Sequence, residues 1–239
     1  MEPQRKFKWT SSGTSNKGNV RQHNEDAWLD MPAAGLWVVA DGMGGHQAGD
    51  VASRMIVDAL AQVRPQERPS ALLDDIEDRL NIVNAELFRR GQAGDTISGS
   101  TIVVLAAFAG YTVTLWAGDS RVYRQKGTSF EQITRDHSEV QELSDQGVTA
   151  GAESANVITR AVGGAADLAL DLELRELRDG DHYLLCSDGL YKELSDVNLA
   201  MALRGQDARS ASRYLVEQAM AGPCSDNVTA VTIKFRQDT

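Results

Sequence analysis

Four apolar segments follow one another between residues 100 and 134, and the connections within each pair are too short to hold a helix. Ala109 and Gly110 join the first pair, and Lys126–Ser129 join the last pair. Parallel neighbours need a crossover of roughly a dozen residues or more, so these segments pair as antiparallel hairpins. The segments that form this predicted antiparallel sheet read STIVVLAAF, YTVTLWAGD, RVYRQ and FEQIT.

Helical and strand-like segments occur on both sides of this central region. Val51, Met55, Ala59 and Val63 recur at helical spacing in the first predicted helix. Antiparallel strands interleaved with pairs of long helices favour an α+β sandwich, in which stacked sheets are flanked by helices. Because no Ser- or Pro-rich linker interrupts the chain, we expect one domain over residues 1–239. Helices are predicted over 47–63, 70–90, 138–146, 195–204 and 207–220, and further strands over 26–31, 36–40, 156–163, 168–177, 181–189 and 227–235.

The charge balance argues against a polyanionic partner. The chain has 24 basic and 34 acidic residues, a formal net charge of -10, which repels nucleic acid and anionic membrane surfaces. The longest apolar run, Ile102–Ala109, is too short to span a bilayer, and the N-terminal residues lack the apolar core of a signal peptide. Cys186 and Cys224 have no CxxC spacing, so neither a disulfide framework nor a zinc site is expected. These features predict a cytoplasmic protein.

Four apolar segments each lead to an aspartate beside Gly, Ser or Asn: Asp41, Asp119, Asp188 and, with the apolar run following, Asp226. One aspartate before glycine is a common turn. If four such strand ends meet at one edge, however, the carboxylates cannot all stay ionised unless a cation neutralises them. Oxygen ligands without a His or Cys cluster favour magnesium or manganese, and several carboxylates suit two ions. The glycines after Asp41 would let a backbone carbonyl, such as that of Gly42, approach a metal directly.

A polar segment upstream, RQHNEDAW, adds a cation and two acids to these aspartates. On its own it is equally well a polar loop that leads into a strand. Beside a cluster of carboxylates, Arg21 could bind phosphate oxygens in a bidentate manner, with Glu25 and Asp26 close by. The sequence therefore favours a phosphate ester as the substrate.

Other interpretations fit less well. Cys186 to Lys192 nearly match the Cys-x5-Arg loop of cysteine phosphatases, but lysine stands in place of the required arginine. A haloacid-dehalogenase hydrolase needs a second aspartate that the DGMGG segment lacks, and the acids are too scattered for an EF-hand. A phosphoprotein-binding module without catalysis would not need the full set of acids. The histidines lack metal-ligand spacing and are expected to be hydrogen-bonded or at the surface: His23, His46, His137 and His182.

Eight motifs in order resemble those of the metal-dependent protein phosphatases, the type 2C serine/threonine phosphatases, in their compact bacterial form. They extend from Arg21 to Val231, which is nearly the whole chain. One such motif is weak evidence, but eight in family order are specific. The resemblance implies a four-layer α-β-β-α sandwich with two central antiparallel sheets and helix pairs outside. The motifs read RQHNEDA, VVADGMGGH, GSTIVV, WAGDSRVY, DHS, VITRAVG, LLCSDGL and SDNVTAV.

The resemblance also implies a role for each matching residue. Asp41 would bridge two divalent ions, manganese or magnesium, and the carbonyl of Gly42 would bind one of them. Asp188 and Asp226 would hold the other ion, and Asp119 with Asp188 would form a third, weaker position.

Further matching residues surround these ligands. Glu25 and Asp26 would orient water on the metals, Arg21 would bind the phosphate, and Asn227 would support the ligands from behind. Residues 136–159 match the flap of the family, which affects substrate choice and metal occupancy.

The implied reaction is direct hydrolysis of phosphoserine and phosphothreonine in proteins. A water that bridges two divalent ions has its pKa lowered toward about 7, so hydroxide can attack phosphorus without a covalent intermediate. Eukaryotic members have a histidine where this chain has Met43, so we assign no general acid. By association, the expected partners are a eukaryotic-like Ser/Thr kinase and forkhead-associated domain proteins, and we expect a monomer.

Overall fold

Two antiparallel sheets form the centre of the computed structural model, which describes residues 6–44, 48–93, 98–149, 151, 154 and 157–238. Elements are numbered in chain order. Sheet I has the order β1-β11-β10-β7-β8, and sheet II has the order β2-β3-β5-β6-β9 with β4 paired to the end of β3. Sheet I comprises β1 (Phe7–Asn16), β7 (Arg121–Lys126), β8 (Ser129–Gln132), β10 (His182–Cys186) and β11 (Val228–Gln237); sheet II comprises β2 (Asp26–Met31), β3 (Leu36–Gly44), β4 (Ser98–Ser100), β5 (Ile102–Phe108), β6 (Tyr111–Ala117) and β9 (Asp171–Glu176).

Helices cover the outer face of each sheet. Several begin with a side-chain cap, as where Ser138 accepts a hydrogen bond from the amide of Gln141. Within the described residues, no helix is long and apolar enough to cross a membrane. The helices are α1 (Ala48–Leu60), α2 (Pro69–Gln92), α3 (Glu139–Asp145), α4 (Asp188–Tyr191), α5 (Asp196–Leu203) and α6 (Ala208–Met220), with a 3-10 turn over Pro32–Ala34.

The alternation of side chains along β3 shows how the layers are held together. Leu36 and Val38 point to one side and pack with the helices α1 and α2, whereas Trp37 and Val39 point to the other side and pack against sheet I. Successive residues of a strand face opposite sides of its sheet, so a continuous apolar strand fills two cores at once. A third core lies between sheet I and α4 to α6. Three cores separate four layers, which confirms the α-β-β-α sandwich.

Aromatic rings fill the core between the two sheets. Phe235 is fully buried there, and its ring centroid lies 6.0 Å from that of Trp37 and 5.7 Å from that of Tyr183, both in edge-on geometry. Such contacts hold β11 of sheet I against β3 of sheet II. The relative position of the two sheets, and so of the residues at their ends, depends on this packing.

The chain passes from sheet II to sheet I between β6 and β7, over Gly118–Ser120. Gly118 has a φ of 109°, and a Cβ atom there would lie 2.6 Å from the Cβ of Thr101. Only glycine fits both the backbone angle and the space. This turn places Asp119 at the junction of the two sheets.

Most predicted elements are confirmed. Both predicted hairpins are present, and the helices α2, α3, α5 and α6 begin and end within two residues of the predicted bounds. The predicted strand over 156–163 is wrong: among its described residues, Ile158 and Val162 form only isolated bridges. The predicted helix over 47–63 ends earlier, at Leu60, and its first residue, Gln47, lies outside the described residues.

Two strand predictions need correction. The strand β1 was not predicted, although Phe7 and Trp9 alternate with polar residues as an amphipathic strand requires. The strand predicted to stop at Ala40 continues through Asp41 to Gly44, because Gly42–Gly44 pair with β4. Asp41 therefore lies within a strand and not at its end.

We expect the replacement of Phe235 by Ala to lower the free energy of unfolding by about 3–5 kcal/mol, because it leaves a cavity among rings that cannot close over it. Urea unfolding followed by tryptophan fluorescence measures this loss. Leu172→Ala on β9, where the side chain is 49% exposed, is the control and should change stability by less than about 0.5 kcal/mol. Equal losses in the two variants would contradict the assignment of Phe235 to the central core.

Candidate active site

Most of the predicted site residues line one cavity. It has a volume of about 290 Å³ and opens at the end of the sandwich where β3 meets β4 and where β11 begins. Met43, Gly44, Thr101, Ile158 and Lys192 complete its wall. The predicted site residues that line it are Arg21, Glu25, Asp41, Gly42, Asp188, Asp226 and Asn227. Segments more than 200 residues apart in the sequence thus meet at one place, as the strand-end argument requires.

Asp26 lies behind this cavity and directly opposite Asp41 in the β2–β3 pair. Opposed residues of an antiparallel pair project their side chains to the same face, so the two carboxylates are neighbours. Oδ2 of Asp26 accepts hydrogen bonds from the hydroxyls of Ser187 at 2.7 Å and Thr229 at 2.6 Å. Burial raises the pKa of Asp26 to about 7, although these hydrogen bonds oppose the shift. Asp26 links sheet II to sheet I beneath the site.

Asp41 is the most strongly perturbed acid of the site. Burial raises its pKa well above the usual value, and the charges of Asp26, Asp188, Asp119 and Asp226 raise it further. Like charges in a poorly hydrated site disfavour ionisation of one another. The same electrostatics makes the cluster a strong attractor for any cation that enters the cavity.

Gly42 allows the helix α1 to approach β3 closely. A Cβ atom on Gly42 would lie 2.0 Å from the carbonyl oxygen of Gly49 in α1 and 2.8 Å from the carbonyl oxygen of Glu25. The amide of Gly42 donates to that same Glu25 carbonyl at 3.2 Å. A side chain at position 42 would therefore push apart the elements that carry Asp41 and Glu25.

Asp119 is buried next to the cavity and is held by Tyr191. The Tyr191 hydroxyl lies 3.0 Å from the Asp119 carbonyl oxygen and 3.2 Å from Oδ2. The guanidinium of Arg121 stacks 3.6 Å above the Tyr191 ring and also binds Asp136, at the start of the predicted flap. Burial, followed by the charges of Asp188 and Asp136, raises the pKa of Asp119 to about 6.

Asn227 fastens the segment that carries Arg21 and Glu25 to the beginning of β11. Its Oδ1 accepts from the amide of Glu25 at 2.8 Å, and its Nδ2 donates to the carbonyls of Lys17 and His23, both at 2.9 Å. Each of these three bonds joins two residues that are more than 200 positions apart in the sequence. This arrangement fits the expected supporting role, because Asn227 holds the segment that carries Arg21 and Glu25 in place.

Two basic side chains form ion pairs with carboxylates of the cavity. Nη2 of Arg21 lies 2.9 Å from Oδ2 of Asp226, and Nζ of Lys192 lies 2.6 Å from Oδ2 of Asp188. The hydrogen bond to Asp226 raises the pKa of Arg21. Lys192 was not among the predicted site residues. Its spacing of four residues after Asp188, across a short helix, is the sequence signal that could have identified it.

The donor set fits divalent cations. Among the predicted site residues, three carboxylates have a buried oxygen with no hydrogen-bond partner in the described part of the chain: Asp26 Oδ1, Asp119 Oδ1 and Asp188 Oδ1. In the same part of the chain, no group of three or more His, Cys, Asp or Glu side chains is already arranged as a metal sphere. Both observations are explained if repulsion, together with the ion pairs to Arg21 and Lys192, keeps the carboxylates apart in the metal-free chain. The side chains must then rotate toward one another to bind an ion. Unsatisfied buried oxygens are the stronger indication, because they are costly unless something else compensates them.

The described cysteine and histidine side chains contribute no nucleophile to this cavity. Cys186 is fully buried on β10, and burial raises the pKa of its thiol, so the cysteine-phosphatase alternative is wrong. His137 and His182 are buried and hydrogen-bonded: His137 accepts from the amide of Gly118 at 3.2 Å, and His182 donates to the Leu203 carbonyl at 2.9 Å. His46 lies outside the described residues.

The architecture and the acidic cavity together define the class of protein that the motifs indicated. Residues 13–220 match the family model described as Protein phosphatase 2C, and the chain belongs to this family. The resemblance stated from eight short motifs is therefore confirmed over most of the chain.

Individual relatives agree. The serine/threonine protein phosphatase PstP of Mycobacterium tuberculosis is 36% identical over 224 residues, which are 91% of this chain and 43% of PstP. The chain thus spans less than half the length of that curated relative. A solved structure described as PppA, a key regulatory component of T6SS in Pseudomonas aeruginosa, is 43% identical with a TM-score of 0.90, over 97% of this chain and 98% of that chain. The PstP catalytic domain in complex with two manganese ions is 33% identical with a TM-score of 0.87, over 97% and 100% of the two chains.

The raised pKa of Asp26 makes a prediction about the metal-free protein. The folded state keeps a proton on Asp26 up to about pH 7, whereas the unfolded chain releases it near 3.8. The contribution of Asp26 to stability is therefore lost as the pH rises between these values, by at most about 1.4 kcal/mol per pH unit. Asp26→Asn should become more stable than the wild type, by a margin that grows between pH 4 and 7.

Urea unfolding in EDTA at several pH values measures this margin. Each variant is compared with the wild type at the same pH because His182, whose pKa burial lowers to about 4, titrates in the opposite sense. Asp167→Asn, which changes an exposed acid, is the control. A margin for Asp26→Asn that shrinks with rising pH would contradict the burial of its carboxylate against the others.

Proposed function

We propose that this chain is a metal-dependent phosphatase that hydrolyses phosphoserine and phosphothreonine in proteins. The observation that carries the proposal is the convergence of Asp41, Asp188 and Asp226, with Arg21, on one cavity of the protein phosphatase 2C fold. The names of the relatives, serine/threonine phosphatases of bacteria, support the same reaction. We also propose that residues 1–239 act as one catalytic domain, because the layers described share continuous cores.

The proposed ligands of two divalent ions, manganese or magnesium, are Asp41, the Gly42 carbonyl, Asp188 and Asp226. The two manganese ions in the PstP structure support this number, and the hard oxygen donors support the choice of metal. When bound, two such ions make water nucleophilic near neutral pH and neutralise charge on the transferring phosphoryl group. Asp119 with Asp188 is the position at which the family resemblance implies a third ion.

The remaining residues bind and orient. Arg21 is placed to bind the phosphate oxygens with its planar guanidinium once a metal competes for Asp226. The family resemblance assigns the orientation of water to Glu25 and Asp26; Glu25 lines the cavity, whereas Asp26 lies behind it. Asn227 keeps Glu25 and the Arg21 segment in place. Most of the rate enhancement in phosphoryl transfer comes from such positioning and charge stabilisation.

The predicted flap, residues 136–159, adjoins the cavity in its described part. Ser138 and Ile158 form a bridge at its base, and Ile158 lines the cavity. We propose that this segment contacts the residues that flank the phosphorylated side chain. The flap would then select among phosphoproteins without touching the reacting atoms.

The proposal extends to the cellular setting of the enzyme. Opposition to a eukaryotic-like Ser/Thr kinase, with forkhead-associated domain proteins among the substrates, is supported by the likeness to bacterial signalling phosphatases. The 43% identity to PppA over nearly the full length of both chains supports a regulatory role of the kind described for that protein. A cytoplasmic, monomeric enzyme is part of the same proposal.

Replacement of Asp188 by Asn should reduce the hydrolysis of a phosphothreonine peptide in manganese by at least about a hundredfold, because it removes a proposed metal ligand. Peptide turnover is measured by phosphate release with and without EDTA, and circular dichroism confirms folding. Asp167→Asn is the matched exposed control and should keep full activity.

Full activity of folded Asp188→Asn would refute the proposed function. Cys186→Ala, in contrast, should hydrolyse the peptide at a rate near that of the wild type, since the thiol is buried away from the cavity. Hydrolysis that persists in EDTA and is lost in Cys186→Ala would instead support the cysteine-phosphatase mechanism.

A further inference from the structure

Lys192 is a cation built into the wall of the acidic cavity. Its Nζ donates to Oδ2 of Asp188 at 2.6 Å. Asp188 is the first residue of α4, and Lys192, four residues later, is the residue that caps its C-terminal end. Pairs at this spacing on an exposed helix surface are common and contribute little. Here the carboxylate is only 14% exposed and lines the candidate active site. The ammonium therefore neutralises a buried proposed metal ligand and not a solvated surface acid.

Asp119 is the second carboxylate within electrostatic reach of this ammonium. The positive charge of Lys192 acts to lower the pKa of Asp119, while the charge of Asp188 acts to raise it. In turn, Asp188, Asp119 and Asp226 together raise the pKa of Lys192 against the effect of its burial. Lys192 follows Tyr191, whose hydroxyl lies 3.2 Å from Oδ2 of Asp119, and its own ammonium binds Asp188. These are the two carboxylates to which the family resemblance assigns a third, weaker ion.

We propose that Lys192 supplies the positive charge beside Asp119 and Asp188 and that this chain consequently binds two divalent ions and not three. The inference rests on the proposed function, because it assumes the two ions held by Asp41, Asp188 and Asp226. It makes Lys192 a positioning residue that fixes the metal content of the site.

The two oxygens of Asp188 show how lysine and metal can share one carboxylate. Oδ2 is bound by Lys192, whereas Oδ1 is buried and has no hydrogen-bond partner among the described residues. Oδ1 is therefore the oxygen available to an ion shared with Asp226. An ion on the Oδ2 side would have to displace a charge-assisted hydrogen bond and would be repelled by the ammonium.

Tyr191 also favours the binding of two ions over three. Its hydroxyl lies within hydrogen-bond distance of Oδ2 of Asp119, and Arg121 stacks on its ring. Asp119 is thereby held by a neutral donor, with a guanidinium and an ammonium near it. Lys192 opposes the negative charges of Asp188 and Asp136 around Asp119, so its removal should strengthen the attraction of this position for a third ion.

Manganese binding to the full chain without substrate tests the inference. Isothermal titration calorimetry counts the ions, and anomalous scattering from manganese-soaked crystals locates them. The wild type is expected to bind two ions, and Lys192→Met is expected to bind a third beside Asp119, with manganese at Asp188 tighter by about tenfold. Lys192→Arg keeps the charge and should bind two.

Two further variants test whether the additional manganese ion depends on Asp119 and on the loss of Lys192 in particular. Asp119→Asn combined with Lys192→Met should return to two ions, since the third site loses a ligand. Lys8→Met removes a lysine that is paired with Asp238 on the surface and should bind two, as the wild type does.

The outcomes separate this inference from the proposed function. A wild type that hydrolyses phosphopeptide and binds three ions overturns the inference alone, as does a Lys192→Met variant with the same number and affinity of ions as the wild type. A wild type that binds no manganese overturns the proposed function together with the inference. A third ion that appears only in Lys192→Met supports it.

Discussion

Electrostatic repulsion among buried carboxylates is the constraint on which this structure depends. Five aspartates perturb one another at the ends of two sheets, and each would prefer water. Two features limit the repulsion in the metal-free chain. Arg21 and Lys192 bind Asp226 and Asp188, and burial raises the pKa of Asp26 and of Asp119, which favours their protonated forms. A chain that only had to be stable would not gather these charges. Their cost is the indication that the site exists to bind cations.

The backbone around the cluster is arranged to keep the acids together despite this repulsion. Gly42 admits the helix α1 against β3, and Gly118 lets the chain turn from one sheet to the other. The central rings around Phe235 keep the two sheets in register, so their ends stay adjacent. Apolar packing far from the cavity thus offsets the unfavourable electrostatics within it.

Local pattern was sufficient to predict the layers and most of the cavity. Hairpins followed from connection lengths, and stacked sheets flanked by helices followed from the interleaving of antiparallel strands with pairs of long helices. The convergence of Asp41, Asp188 and Asp226 could be argued from where apolar strands give way to polar residues. Residues 156–163 were mistaken for a strand because Val and Ile are typical of strands. In the structure, Ile158 and Val162 form only isolated bridges, to Ser138 and Ser100. Lys192 was missed because its four-residue spacing from Asp188 is common on helix surfaces and becomes informative only once Asp188 is known to line the cavity.

The position of β11 has a consequence for how the protein is made. This last strand inserts between β1 and β10, and Asp226 and Asn227 immediately precede it. A ribosome that has released only the first two hundred residues has therefore delivered most of both sheets but neither of these two side chains. The nascent chain cannot complete its acidic cavity until translation passes residue 227. A chain that stops short of this residue has most of both sheets but lacks the proposed metal ligand Asp226 and the support that Asn227 gives to Glu25.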